Sequence, residues 1–151
     1  MQTQLTKLLG CRYPVIQTAM GWVADARLVA ATGNAGGFGF LAGAVMTTSE
    51  IEQGILEIKA QSDAPFGVNF HMYVPHVEDI VSLCIEHQVR AVSYSRSPLA
   101  ATVERLKASG IVCIPTVGAH RHAVKAVEMG ADALVIQGGE GGGHTGSVAT
   151  S

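Results

Sequence analysis

The chain has 151 residues, 48% of them apolar and 15% charged, with a formal net charge of −2. That composition predicts one domain with a substantial core rather than a disordered chain. No basic block suits a nucleic acid or an anionic membrane, and no apolar run approaches the ~20 residues of a bilayer span.

Taken in order, the opening MQTQLTKLLG lacks the apolar core and small-residue cleavage site of a secretory leader. Six short β-rich runs follow: YPVIQTAM (13–20), GGFGFLAG (36–43), APFGVNF (64–70), VRAVSYS (89–95), IVCIPTV (111–117) and DALVIQG (132–138). They recur roughly every two dozen residues, the length of one strand-and-helix unit. The segments between them carry helical period. Ser49 and Glu52 have capping-box spacing ahead of Ile55, Leu56 and Ile58. Val77, Ile80, Val81, Cys84 and Ile85 share one helical face. Pro98 stands at the start of the next helix and Gly110 after its end, and Gly130 closes the helix HAVKAVEM. Cys11, Cys84 and Cys113 are odd in number and widely spaced, as expected of inert, reduced thiols in a cytoplasm.

Near-continuous apolar strands point to a parallel sheet covered by helices. Two architectures satisfy this: a doubly wound open sheet and a (β/α)8 barrel. A barrel typically needs ~250 residues, so this chain would hold about six of its eight units, a single incomplete domain over 1–151 with strands seven and eight absent.

In either architecture the reactive edge lies at the C-terminal ends of the strands. Polar and small residues gather there: Thr18, Ala19 and Met20; Asn69 and His71; Ser93, Tyr94, Ser95 and Arg96; Gln137 and the loop after it. That last stretch, VIQGGEGGGHTG (135–146), has glycine at six of its twelve positions. Glycine lets main-chain N–H groups come close to a flat or bulky ligand. His144 inside this loop is the candidate catalytic residue, because a neutral imidazole there can take a proton from carbon or orient an anion. Gly141-x-Gly143-x-x-Gly146 also fits the dinucleotide fingerprint, weakly, since any glycine run does so. His87, His120 and His122 fall near helix ends and are expected at the surface; His76 begins a helix, and His71 is placed to line a pocket. No His, Cys or carboxylate pair has metal-ligand spacing, so no metal is expected. The serines lack a G-x-S-x-G setting, and every lysine weighed for Schiff-base chemistry reads as helical or terminal.

The order PVIQTAM, GGFGFL, FGVNF and GADALVIQGGEGGGHTG resembles the nitronate monooxygenase family, the 2-nitropropane dioxygenase-like flavoproteins related to FMN-dependent enoyl-acyl-carrier-protein reductases. The family pattern Q-G-x-E-A-G-G-H-x-G is matched except that Gly141 replaces Ala. The resemblance implies a TIM barrel with FMN at the strand ends. It implies that the backbone at Thr18, Ala19 and Met20 packs along the flavin, that Asn69 and Gln137 bond its polar atoms, that Gly142 and Gly143 let the loop approach it, and that His144 is catalytic. The implied reaction is oxidation of an alkyl nitronate or similar carbanion with O2, with NAD(P)H-dependent enoyl-thioester reduction as the alternative. Two departures stand out: Thr18-Ala19-Met20 replaces the common Ala-Pro-Met, and Arg96 falls in a stretch where many relatives carry Phe, Gly and Pro. The phosphate-binding turns after strands seven and eight have no counterpart here. A non-catalytic fragment, whose open edges need a partner or a C-terminal half, is the reading of another class, and a homo-oligomer is compatible with those edges.

Overall fold

Alternating side chains along each strand divide between two apolar clusters, and that division defines the molecule. The computed structural model describes residues 2–95, 99–141, 147 and 149. Six parallel strands form one sheet in chain order: β1 (Ile16–Gln17), β2 (Phe38–Ala42), β3 (Gly67–His71), β4 (Ala91–Ser95), β5 (Val112–Val117) and β6 (Val135–Ile136). The helices are α1 (Gln4–Leu9), α2 (Ala26–Asn34), α3 (Thr48–Gln61), α4 (Val77–Glu86), α5 (Ala100–Ala108) and α6 (His120–Glu128). This is the expected half-barrel of six parallel strands, with a helix after each of β1 to β5 and α1 ahead of β1. Among the described residues no helix is long and apolar enough to cross a membrane.

One face of the sheet is covered by helices. Leu41, Val68, Phe70, Val92, Tyr94 and Cys113 pack there with Val29, Ile51, Ile55, Ile80 and Leu106. The other face, the inner one, carries Phe38, Phe40, Ala91, Val112 and Ile114, joined by Leu5, Leu8 and Leu9 of α1. Helix α1, which was not foreseen, therefore caps the inner cluster. Thr3 and Thr6 form a capping box at its start, and the Arg90 guanidinium donates to Leu8 O, with Nε at 2.9 Å.

Parallel register places partners on the same face, so the inner face is built in rows. Phe40, Gly67, Ala91 and Val112 make one row; Ala42, Asn69, Ser93 and Ile114 make the next; His71 and Ser95 begin a third. In the first row a large ring lies beside two small residues. A Cβ on Gly67 would stand 2.3 Å from Phe40 Cε1 and 2.8 Å from Ala91 O, so only glycine leaves room for the ring. Elsewhere glycine closes helices in the left-handed region, with φ +76° at Gly110 and +91° at Gly130.

Several expectations require correction. β1 and β6 hold two residues each, far shorter than 13–20 and 132–138. They are the sheet's edges, paired on one side only. Asp132 does not enter β6: its Oδ2 accepts from Cys113 N at 2.9 Å, and its other oxygen is bound by the Lys107 ammonium. The capping box of α3 is Thr47 with Glu50, two residues before the predicted pair; Glu50 Oε2 accepts from Thr47 N at 2.7 Å. The stretch TTSEIE contains the spacing twice. The earlier pair wins because it lets Met46 pack on the core cluster holding Ile51, a hydrophobic staple. His87 is not at the surface: its side chain is 15% exposed, with Nε2 3.8 Å from Glu52 Oε1. It closes α4 against α3, where Lys59 Nζ donates to His87 O at 2.7 Å. His120 and His122 are exposed, as expected.

The thiols follow from this packing. Burial pushes Cys84 up to about 12, and burial with the nearby Asp132 charge pushes Cys113 up to about 11. At pH 8 the thiolate fraction of either is on the order of 10⁻³ or less, and both are sterically closed. Cys11 is half-buried, with its thiol also raised by desolvation. A disulfide reagent at pH 8 should therefore label at most Cys11 in the native protein and all three thiols in denaturant. Rapid native labelling of Cys84 would contradict the packing of α4.

Candidate functional site

The inner face changes character along its strands. At the N-terminal side it is aromatic and aliphatic, with Phe38 and Phe40 in edge contact at 5.1 Å between centroids. Toward the C-terminal ends it becomes amide and hydroxyl. Asn69 Nδ2 donates to Ser93 Oγ at 2.8 Å and to Ser93 O at 3.2 Å, so both amide protons serve β4 while Oδ1 takes no part in either bond. Ser93 is 5% exposed. One step outward, His71 Nδ1 lies 2.5 Å from Ser95 Oγ. Thr116 of β5 alternates with Val112 and Ile114 and so shares this face, half-buried.

Tyr94, grouped by sequence with these polar residues, belongs to the opposite face. It is 1% exposed and packs near Phe70 at 6.5 Å between centroids. Burial pushes its hydroxyl well above the usual phenol range, assisted by Cys113 and Asp132. Its place is structural: with Phe70 it fixes the rotation of β3 and β4, which points Asn69, His71, Ser93 and Ser95 inward.

Thr18, Ala19 and Met20 leave the C-terminal end of β1, with Thr18 and Met20 exposed and Ala19 half-buried. The residue that sets their course is Gln17. Its Nε2 donates to Thr18 O at 2.6 Å and to Phe40 O at 3.2 Å, pinning the loop to β2. Gln17 Oε1 is buried without a hydrogen-bond partner among the described residues, against Gly39, where a Cβ would sit 2.8 Å away. Sequence reasoning passed over Gln17, although an amide in an apolar strand was a visible signal.

Gln137 extends the last pairing, its backbone N donating to Val117 O at 3.1 Å. The chain then turns back over it. A Cβ at Gly141 would stand 2.9 Å from Gln137 Nε2, so the turn rests directly on the amide. Thr18, Ala19, Met20, Asn69 and Gln137 therefore lie on one arc at the C-terminal ends of β1, β3 and β6. From that arc Asn69 reaches Ser93 of β4 directly. Gly142, Gly143 and His144, and Arg96 to Pro98 in the loop after β4, lie outside the described residues.

An arc of this kind can seat a planar group whose body meets apolar surface and whose edge meets amides. The chain is 51% identical, over its whole length and 42% of the relative's, to the (3aS,4S,5R,7aS)-5-hydroxy-7a-methyl-1-oxo-octahydro-1H-indene-4-carboxyl-CoA dehydrogenase of Mycobacterium tuberculosis. It is 30% identical to a probable nitronate monooxygenase of Staphylococcus haemolyticus, covering 98% of this chain and 52% of that protein. Among solved structures, FabK from Thermotoga maritima superposes with a TM-score of 0.93 at 33% identity, over 99% of this chain and 48% of that one. A nitroalkane oxidase from Streptomyces ansochromogenes gives 0.86 at 26% identity, over 95% and 51%. The chain thus spans about half the length of the curated relatives it matches. The pattern of one family matches residues 2–95 and again 78–151, which together take in every candidate site residue, and by that match this chain belongs to the nitronate monooxygenase family.

Proposed function

We propose that this chain is the FMN-binding half-barrel of an oxidoreductase that removes a proton from a carbon acidified by a neighbouring carbonyl or nitro group. We further propose that its substrate is a CoA thioester of an alicyclic acid. The observation that carries the substrate is the 51% identity along the entire chain to a carboxyl-CoA dehydrogenase, against 30% to a nitronate monooxygenase.

The residues fit FMN in kind. The turn resting on Gln137 leaves no room for a side chain at Gly141, and Asn69 keeps an acceptor oxygen clear of its bonds to Ser93. The backbone of Thr18, Ala19 and Met20 would line the group, Asn69 and Gln137 would bond its polar atoms, and Gly142 and Gly143 would let the loop close on it. When bound, FMN supplies the electron-accepting chemistry that no side chain of this chain can supply. The chain's own part is positioning and proton handling. His144 takes the proton from the substrate carbon, while the amide and hydroxyl row of Asn69 and Ser93 holds polar atoms at a fixed depth.

Oxidation of alkyl nitronates with O2 is the second reading, favoured by the family match. A thioester and the nitroalkane from which a nitronate forms both carry an acidified carbon next to a group with an sp² oxygen, so one site serves either. The test uses the purified protein under two conditions. Anaerobic addition of an alicyclic acyl-CoA should bleach the flavin absorbance. Oxygen uptake with propyl-2-nitronate and no bleaching by the thioester would favour the second reading. A colourless protein would overturn both and leave the non-catalytic alternative.

A further inference from the structure

We propose that His71, held by Ser95, is a second substrate-contacting group at the barrel mouth, binding the oxygen of the group that acidifies the substrate carbon. This rests on the oxidoreductase reading above.

The placement is the argument. His71 ends β3 on the inner face, two residues beyond Asn69 and in register with Ser95. Two residues of parallel strand span about 6–7 Å. Asn69 and His71 therefore cannot address the same plane: if the Asn69 row meets the cofactor edge, the His71 row meets what lies beyond it. The two rows also differ in chemistry. The lower row is amide and hydroxyl, with both Asn69 amide protons on Ser93. The upper row holds the one ionisable side chain among the described inner-face residues of β2 to β5. Its ring cannot turn freely, because Nδ1 lies 2.5 Å from Ser95 Oγ, and Ser95 is itself fixed by the β3–β4 ladder.

An imidazole so fixed is preorganised for an oxygen that gains negative charge as the neighbouring carbon loses its proton. A nitro group and a thioester both present such an oxygen. Proton removal then belongs to the loop after β6, and oxygen binding to the end of β3, three strands away. Ser95 is a positioning residue in this scheme, acting through His71.

Isobutyrate, a carboxylate with the shape of propyl-2-nitronate, is the probe. It is titrated into the purified protein while the His71 imidazole resonances, assigned with His71→Gln, are followed by NMR; flavin content is recorded separately from absorbance. The His71 signals should move. His71→Ala should weaken isobutyrate about tenfold, the loss of one charge-assisted hydrogen bond, and His71→Gln should recover part of it. Ser95→Ala should weaken it severalfold and Ser95→Thr restore it, with flavin content unchanged throughout and folding verified by circular dichroism. An affinity in His71→Ala within twofold of the parent, with unmoved His71 resonances, would overturn the proposal. A colourless protein whose His71 still responds would overturn the FMN reading and with it the substrate role, leaving His71 as an oxyanion-binding group only.

Discussion

Replacing His144 by alanine should lower turnover of a neutral carbon acid by about 10²–10⁴-fold, the usual worth of a positioned general base, and should leave flavin content near the parent's. Proton removal from carbon is slow without a base held in place, and imidazole titrates near working pH. The glycine-rich loop that carries His144 starts from a firm base. The backbone of Gln137 is bonded to β5 at 3.1 Å, and Gly141 folds directly onto the Gln137 amide. A comparison separates proton removal from mere charge stabilisation. Propyl-2-nitronate, already deprotonated, should lose far less activity in His144→Ala than neutral 2-nitropropane does. Equal losses on both would assign the imidazole an electrostatic role, and unchanged turnover would remove it from the chemistry.

The second large effect is on stability. Gly67→Ala should cost about 2–3 kcal/mol, toward the upper end for overpacking a filled core, and lower Tm by roughly 4–12 °C for a chain of this size. The new Cβ would meet the Phe40 ring at 2.3 Å and a backbone oxygen, Ala91 O, at 2.8 Å. The ring can turn away, but the carbonyl is held in the β3–β4 ladder. Phe40→Leu in the same chain should therefore recover part of the loss, since the two positions share one space. The strain also falls one row below Asn69 and Ser93. Flavin content is expected to drop in the single variant and return in the double one. A Gly67→Ala protein melting within a degree of the parent would show that the row is loosely packed.

Repeat length and the apolar character of the strands were enough to read six parallel strands joined by helices. They report contacts each segment makes with its immediate neighbours. The buried face of α4, with Ile80, Val81 and Cys84, was legible for the same reason. What failed depended on longer reach. Helix α1 is six residues with little period, and it is held by packing on the inner cluster and by Arg90, which lies far along the chain. Tyr94 was read with its polar neighbours because sequence proximity hides the alternation of faces. His87 was read as surface because the helix it packs against, α3, lies about one unit upstream. Of the candidate site, Asn69 and Gln137 were found at strand ends, while Gln17 was missed because it acts through the backbone of Thr18.

The strand order runs 1 to 6 without a single exchange, each strand paired only with its predecessor and successor. Such a sheet can be laid down in the direction of translation. Each new strand finds its pairing partner in the one completed just before, so only α1, held by Arg90 and the inner cluster, must wait for a distant part of the chain to emerge from the ribosome.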